Sequence, residues 1–146
     1  MNRKVASFNE CYRIFEVDPK LIEAQLCAVI ELLISGGYEM FIAGSLTGFD
    51  LLAARIVLRY KKEHPNIELR VILPYPTEDR DIAVSEIEAY QEVINGITGR
   101  IIYVSDEFDW DAQARCNDRI EELSDAEIKY GYYDECRVAL LLKAQR

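Results

Sequence analysis

Apolar positions along the chain recur with two periods, and the two alternate from end to end. Lys4 to Phe8 reads as a short strand. Asp18-Pro19 supplies a helix N-cap followed by proline at the first helical position. Ile22, Leu26, Val29, Ile30 and Leu33 then fall at helical spacing, and Gly36-Gly37 ends that helix. Glu39 to Ala43 is a second strand, followed by a helix over roughly Phe49 to His64 that Pro65-Asn66 breaks. Ile67, Leu69, Val71 and Leu73 alternate as a third strand, closed by Pro74-Tyr75-Pro76. A helix from about Asp79 to Asn95 carries Ala83, Ile87, Tyr90 and Ile94 on one face. Arg100 to Val104 is a fourth strand, Asp109 to Leu123 an acidic helix, Glu127 to Tyr133 a fifth strand, and Cys136 to Ala144 a short final helix.

Strand–helix alternation of this kind predicts a parallel sheet with helices on both faces. The expected fold class is α/β: a single Rossmann-like, doubly wound domain over residues 1–146, with about five mainly parallel strands. Ligands in such sheets bind beyond the carboxyl ends of the strands, near the point where strand order reverses. The loops after the first, second and fourth strands are therefore the ones to inspect.

Composition narrows the partners. Half the residues are hydrophobic, which argues against disorder. The formal net charge is -9, so nucleic acid and anionic membranes are not expected partners. No apolar run approaches the roughly 20 residues of a membrane span, and Met1-Asn2-Arg3-Lys4 is not followed by a secretory apolar region. Cys11, Cys27, Cys116 and Cys136 form no Cys-x-x-Cys pair, and His64 is the only histidine, so no metal site or cofactor is expected. A reduced, cytoplasmic setting follows as the expectation.

The chemistry concentrates where Phe41-Ile42-Ala43 meets Gly44-Ser45-Leu46-Thr47-Gly48 and the next helix opens. That junction puts backbone N–H groups and a helix N-terminus at the crest of the sheet, where phosphates and nucleotides bind. Gly44, Ser45 and Gly48 could floor a ligand site, or could serve a tight turn by packing alone. Thr47 is a candidate helix cap. Asp50 suits the helix dipole and is the weak candidate for a catalytic carboxylate. Asn9 and Arg13 follow the first strand; Arg13 could pair with a phosphate or balance Glu10 or Glu16. Cys11 reads as a small packing residue. Arg115 and Arg119 share a helix face and could clamp an anion or pair with Asp111, Asp118, Glu121 or Glu122. Tyr75 could stack on a base or pack at its turn, and Trp110 reads as a core anchor.

Gly37-Tyr38-Glu39-Met40-Phe41-Ile42 and the Gly44 to Ala54 run, a Gly-x-x-x-Gly-x-Asp turn, resemble the YpsA-like branch of the SLOG superfamily. The similarity continues through Lys61 to Leu69, Tyr103-Val104-Ser105 and Asn117 to Asp125, and Asp18-Pro19-Lys20-Leu21-Ile22 fits the family's first helix. The resemblance implies a Rossmann-like fold and a pocket for a nucleotide or nucleotide-derived small molecule, to which it adds Asn117. Some SLOG relatives are phosphoribohydrolases, others are proposed nucleotide sensors, and relatives are often oligomeric, which makes a homo-oligomer an open expectation.

Three motifs depart from the family. Asn9-Glu10-Cys11-Tyr12-Arg13 stands where the family usually has Thr-Gly-His-Arg-Pro. Cys116-Asn117, with Arg115 one position earlier, stands for an Arg-Asn pair, and Tyr132 to Cys136 for a Gly-Gly-Thr phosphate loop. The enzymatic Pro-Gly-Gly-x-Gly-Thr-x-x-Glu pattern is absent. Binding without turnover is thus the expected function. The alternatives are a nucleosidase or phosphoribohydrolase using Asp50, or Glu10 with Asn117, and a non-catalytic bacterial or phage interaction module with a vestigial pocket.

Overall fold

A computed structural model describes residues 3–10, 19–76, 82–97, 101–131 and 137–143. Six strands form one sheet: β1 (Lys4–Glu10), β2 (Tyr38–Ala43), β3 (Glu68–Leu73), β4 (Ile102–Tyr103), β5 (Ala126–Tyr130) and β6 (Val138–Leu142). Their spatial order is β4-β3-β2-β1-β5-β6. All neighbours run parallel except β5 and β6. Four helices are found among the described residues: α1 (Pro19–Ser35), α2 (Gly48–Lys61), α3 (Ile87–Gly96) and α4 (Ala112–Leu123).

The chain steps outward from β1 to β4, then returns past β1 to β5. Right-handed crossovers therefore place α1, α2 and α3 on one face and α4 on the other. The burial pattern agrees. Phe41, Ala43, Leu69 and Val71 point into the larger core with Leu26, Ile30, Ala53 and Ala54. Met40, Ile42 and Ile72, the alternate positions, pack with Cys116 and Ile120 of α4. Strands covered on both faces are apolar at nearly every position, which is why β2 and β3 stand out in the sequence. The mostly parallel sheet with helices on both sides is the expected α/β, Rossmann-like architecture.

Several features differ from the sequence expectation: the sheet has six strands and not about five, and the fourth, expected over Arg100 to Val104, is found only at Ile102–Tyr103 among the described residues. The apolar run expected as a helix from Cys136 to Ala144 is strand β6 where it is described, paired antiparallel to β5 from Tyr130↔Val138 to Ala126↔Leu142. Five consecutive apolar residues fit a buried helix turn or a strand equally well, and the open edge of β5 decides between them. Gly131, at φ 81°, turns the chain away from β5, and its N–H reaches the Arg137 carbonyl. Of the helix expected from about Asp79 to Asn95, residues 79–81 lie outside the described residues; in the described part a single 3-10 turn at Val84–Glu86 leads into α3 at Ile87. Trp110, expected in the core, is 89% exposed. It lies edge-to-face on Phe108, which lies edge-to-face on Tyr75. No helix among the described residues is long and apolar enough to cross a membrane.

Candidate functional site

The order of strands reverses beside β1, between its outward neighbour β2 and the later β5. A cavity of about 420 Å³ opens there, beyond the carboxyl ends of β1 and β2 and beside α4. That volume lies within the range of small-molecule sites. Ser7 and Asn9 of β1, Gly44, Ser45 and Thr47 of the turn, Asp50 of α2 and Glu127 of β5 line it. Phe8 of β1 and, on α4, Gln113, Asn117, Ile120 and Glu121 also line it.

Local geometry explains the turn. A Cβ on Gly44 would come within 2.9 Å of Ile120 Cδ1, so the glycine lets α4 close on the sheet crest. Gly48 has φ 53°, in the left-handed region that favours glycine. Asp50 is 5% exposed, and its Oδ2 accepts the Gly44 N–H at 3.1 Å. Its carboxylate thus reaches back from the first turn of α2 to the end of β2. Thr47 occupies the N-cap position of α2, but its side chain makes no capping bond. The Gly48 N–H instead donates to Glu86 Oε2 at 2.7 Å, a carboxylate delivered by the 3-10 turn before α3.

On α4, Gln113 Nε2 donates to Asn117 Oδ1 at 3.0 Å, which holds Asn117 along the cavity. On the side of α4 packed against the sheet, the adjacent Cys116 is fully buried, and its thiol donates to the Ile72 carbonyl at 3.4 Å. Burial first, and the Asp50 carboxylate second, push its pKa up to about 11. A thiol held neutral in that way is a packing group and not a nucleophile.

A model of the YspA SLOG family matches residues 12–135. The chain belongs to the YspA SLOG family. It is also similar to the UPF0398 protein BH1768 of Halalkalibacterium halodurans, at 28% identity over 87 residues. That match covers 60% of this chain and 44% of the relative, so the chain spans less than half the length of the relative it matches.

The SLOG fold gathers some of the residues singled out from sequence and separates others. Asn9, Gly44, Ser45, Asp50 and Asn117 all line the one cavity. Gly48 sits at the base of the turn, its amide held by Glu86. Tyr75 lines a neighbouring cavity of about 190 Å³, which shares Gly44, Ser45, Thr47 and Gln113 with the first. Arg115 lies on α4, but its guanidinium pairs with Asp109 at 3.0 Å. The Asp111 backbone N–H and then Arg115 hold the Asp109 carboxyl below its usual range. Arg119 faces Glu122 at 3.7 Å on the helix surface. Arg13 and Cys11 lie outside the described residues, as do Tyr132 to Cys136.

Four polar lining side chains were missed by sequence reasoning. Ser7 and Glu127 are cross-strand neighbours on the α4 side of the sheet. A serine between Ala6 and Phe8, in register with Asn9 at period two, was a visible signal. Gln113 and Glu121 were not distinguishable from the other polar residues of an acidic helix.

Proposed function

We propose that this domain binds a nucleotide or nucleotide-derived small molecule in the cavity at the β1–β2 crest, and does not turn it over. The observation that carries the reading is the convergence of Gly44, Ser45, Asn9, Asp50 and Asn117 on one cavity at the strand-order reversal. This is where open α/β sheets bind ligands, and membership of a SLOG family supports the same location. Binding asks only for shape and a few donors and acceptors. Cleavage of an N-glycosidic bond also needs a placed acid or base. Asp50, the carboxylate best placed by sequence, holds a backbone amide of the turn. A cytoplasmic protein with no membrane partner belongs to the same proposal.

Calorimetry or thermal shift with nucleosides, nucleotides, cyclic nucleotides and ADP-ribose derivatives tests the reading. A saturable response from at least one compound, with no base released on prolonged incubation, is the expected result. Silence across the panel from folded protein refutes the binding. Base release that Asp50→Asn abolishes, while the variant stays folded, refutes the absence of turnover.

A further inference from the structure

Tyr75 lines a second cavity that the proposed site leaves unused. Its volume, about 190 Å³, falls below the roughly 300 Å³ at the lower end of small-molecule pockets. It has room for part of a ligand and not for a whole one. Gly44, Ser45, Thr47 and Gln113 border both this cavity and the larger one, so the two lie side by side across the β2–α2 turn. Their walls differ in kind. Asn9, Asp50 and Asn117 help to make the larger one polar. The smaller is walled by Tyr75 after β3, Tyr90 of α3 and Tyr103 of β4, with Leu73, Pro74 and Ile82. These residues come from separate segments, so the aromatic wall is assembled by the fold and not by a local run.

A second observation points to a planar occupant. Tyr75 packs edge-to-face on Phe108 at 5.3 Å between ring centroids, and Phe108 on Trp110 at 5.0 Å. Phe108 is 57% exposed, and Tyr103 and Trp110 are exposed as well. Single exposed apolar residues are ordinary, but a contiguous aromatic run leading out from a cavity wall marks a binding surface. The contact with Phe108 also steadies the Tyr75 ring. A tyrosine offers a nucleobase two things: a π-face, on which any base can stack, and a hydroxyl that can donate to or accept from the base edge. An aliphatic chain would make no use of the hydroxyls or of the polar cavity alongside.

Resting on the nucleotide-derived reading above, we infer that the aromatic cavity seats the base of the bound molecule, stacked on Tyr75 with Tyr103 alongside, and that the sugar lies across the turn toward the polar cavity. Gln113, which borders both cavities, then stands at the junction of sugar and base. The ligand class narrows to molecules that keep a purine or pyrimidine ring, and a sugar phosphate without its base is held poorly.

The test is calorimetric titration of adenosine, guanosine, cytidine and uridine, their 5′-monophosphates, cyclic AMP, cyclic GMP and ADP-ribose, with ribose 5-phosphate as the base-free control. At least one base-bearing compound should bind, and ribose 5-phosphate should bind roughly tenfold or more weakly than that compound, the worth of one base–aromatic stack. Tyr75→Ala should weaken the base-bearing compound by a similar factor and leave ribose 5-phosphate unchanged. Tyr75→Phe keeps the stacking face and should restore most of the affinity. Tyr103→Ala should weaken binding severalfold; Tyr103 is exposed on an edge strand and tolerates truncation, so this variant decides the matter where Tyr75→Ala fails to fold. Urea midpoints near wild type establish that each variant is folded. A compound that binds the folded tyrosine variants as tightly as the wild type overturns this inference and leaves nucleotide binding standing. So does ribose 5-phosphate that matches the base-bearing compounds. Silence from every compound overturns both.

Discussion

At the scale of single residues, the turn between β2 and α2 is held by two carboxylates of different origin. Asp50 is local, six residues from its amide, whereas Glu86 arrives from 38 residues away. Removing Glu86 leaves the first amide of α2 without its charged acceptor. Glu86→Ala should therefore cost about 1 kcal/mol in a urea melt, the usual worth of a helix cap. A change within 0.3 kcal/mol of zero would show that the bond adds nothing to stability. Cys116 supplies a pH test. Its thiol is raised from 9.0 to about 11, so between those values the unfolded chain loses a proton that the folded chain keeps. Stability must then fall as pH rises through this window. Urea midpoints measured from pH 8 to 11 should fall less steeply for Cys116→Ala than for the wild type, and parallel slopes would contradict the assignment.

Two elements illustrate the division between pattern and context. β2, β3 and α1 are legible because β2 and β3 are short, largely apolar runs, α1 keeps helical spacing, and all three end at glycine or proline. β6 is not legible, since Val138 to Leu142 fits either period until β5 offers it an edge. The strand is tied at its start by the Val138 N–H to Gln25 Oε1 bond at 2.8 Å. Gln25→Ala should speed hydrogen exchange at the Val138 amide and cost about 1 kcal/mol of stability; an exchange rate equal to wild type would argue against the tie. The connection before α4 holds the second misreading. Trp110 is the sole tryptophan, so its exposure can be measured directly. Its fluorescence should be quenched by acrylamide nearly as efficiently as that of a free indole, and Trp110→Ala should move stability by no more than about 0.5 kcal/mol. A shielded indole would return it to the core.

For the whole molecule, charge and topology act at different ranges. A net charge of -9 sets a long-range field that opposes polyanions. Fluorescence anisotropy with a labelled DNA duplex at low salt should register no binding at micromolar protein, and salt-sensitive binding would reveal a basic surface that the overall charge conceals. Topology instead sets where a small molecule can sit. The return of the chain from β4 to β5 carries α4 to the opposite face, and that single crossover brings Asn117 and Glu121 over Ser7 and Gly44.

The sequence by itself determined the α/β class, the parallel strands with alternating helices and the glycine turn at the crest of β2. Those features are encoded by neighbours within a few positions, through periodicity, capping and turn chemistry. It also marked Asn9, Asp50 and Asn117, though not how they would be used. Only the tertiary structure decided that β6 is a strand, that Trp110 lies outside the core and that Ser7, Glu121 and Glu127 share a cavity. It alone revealed that the amides of the turn answer to carboxylates, one of them from a distant segment. The reason is physical: hydrogen-bond acceptors and open sheet edges are supplied by whatever the fold brings near, and a linear pattern carries no record of that supply.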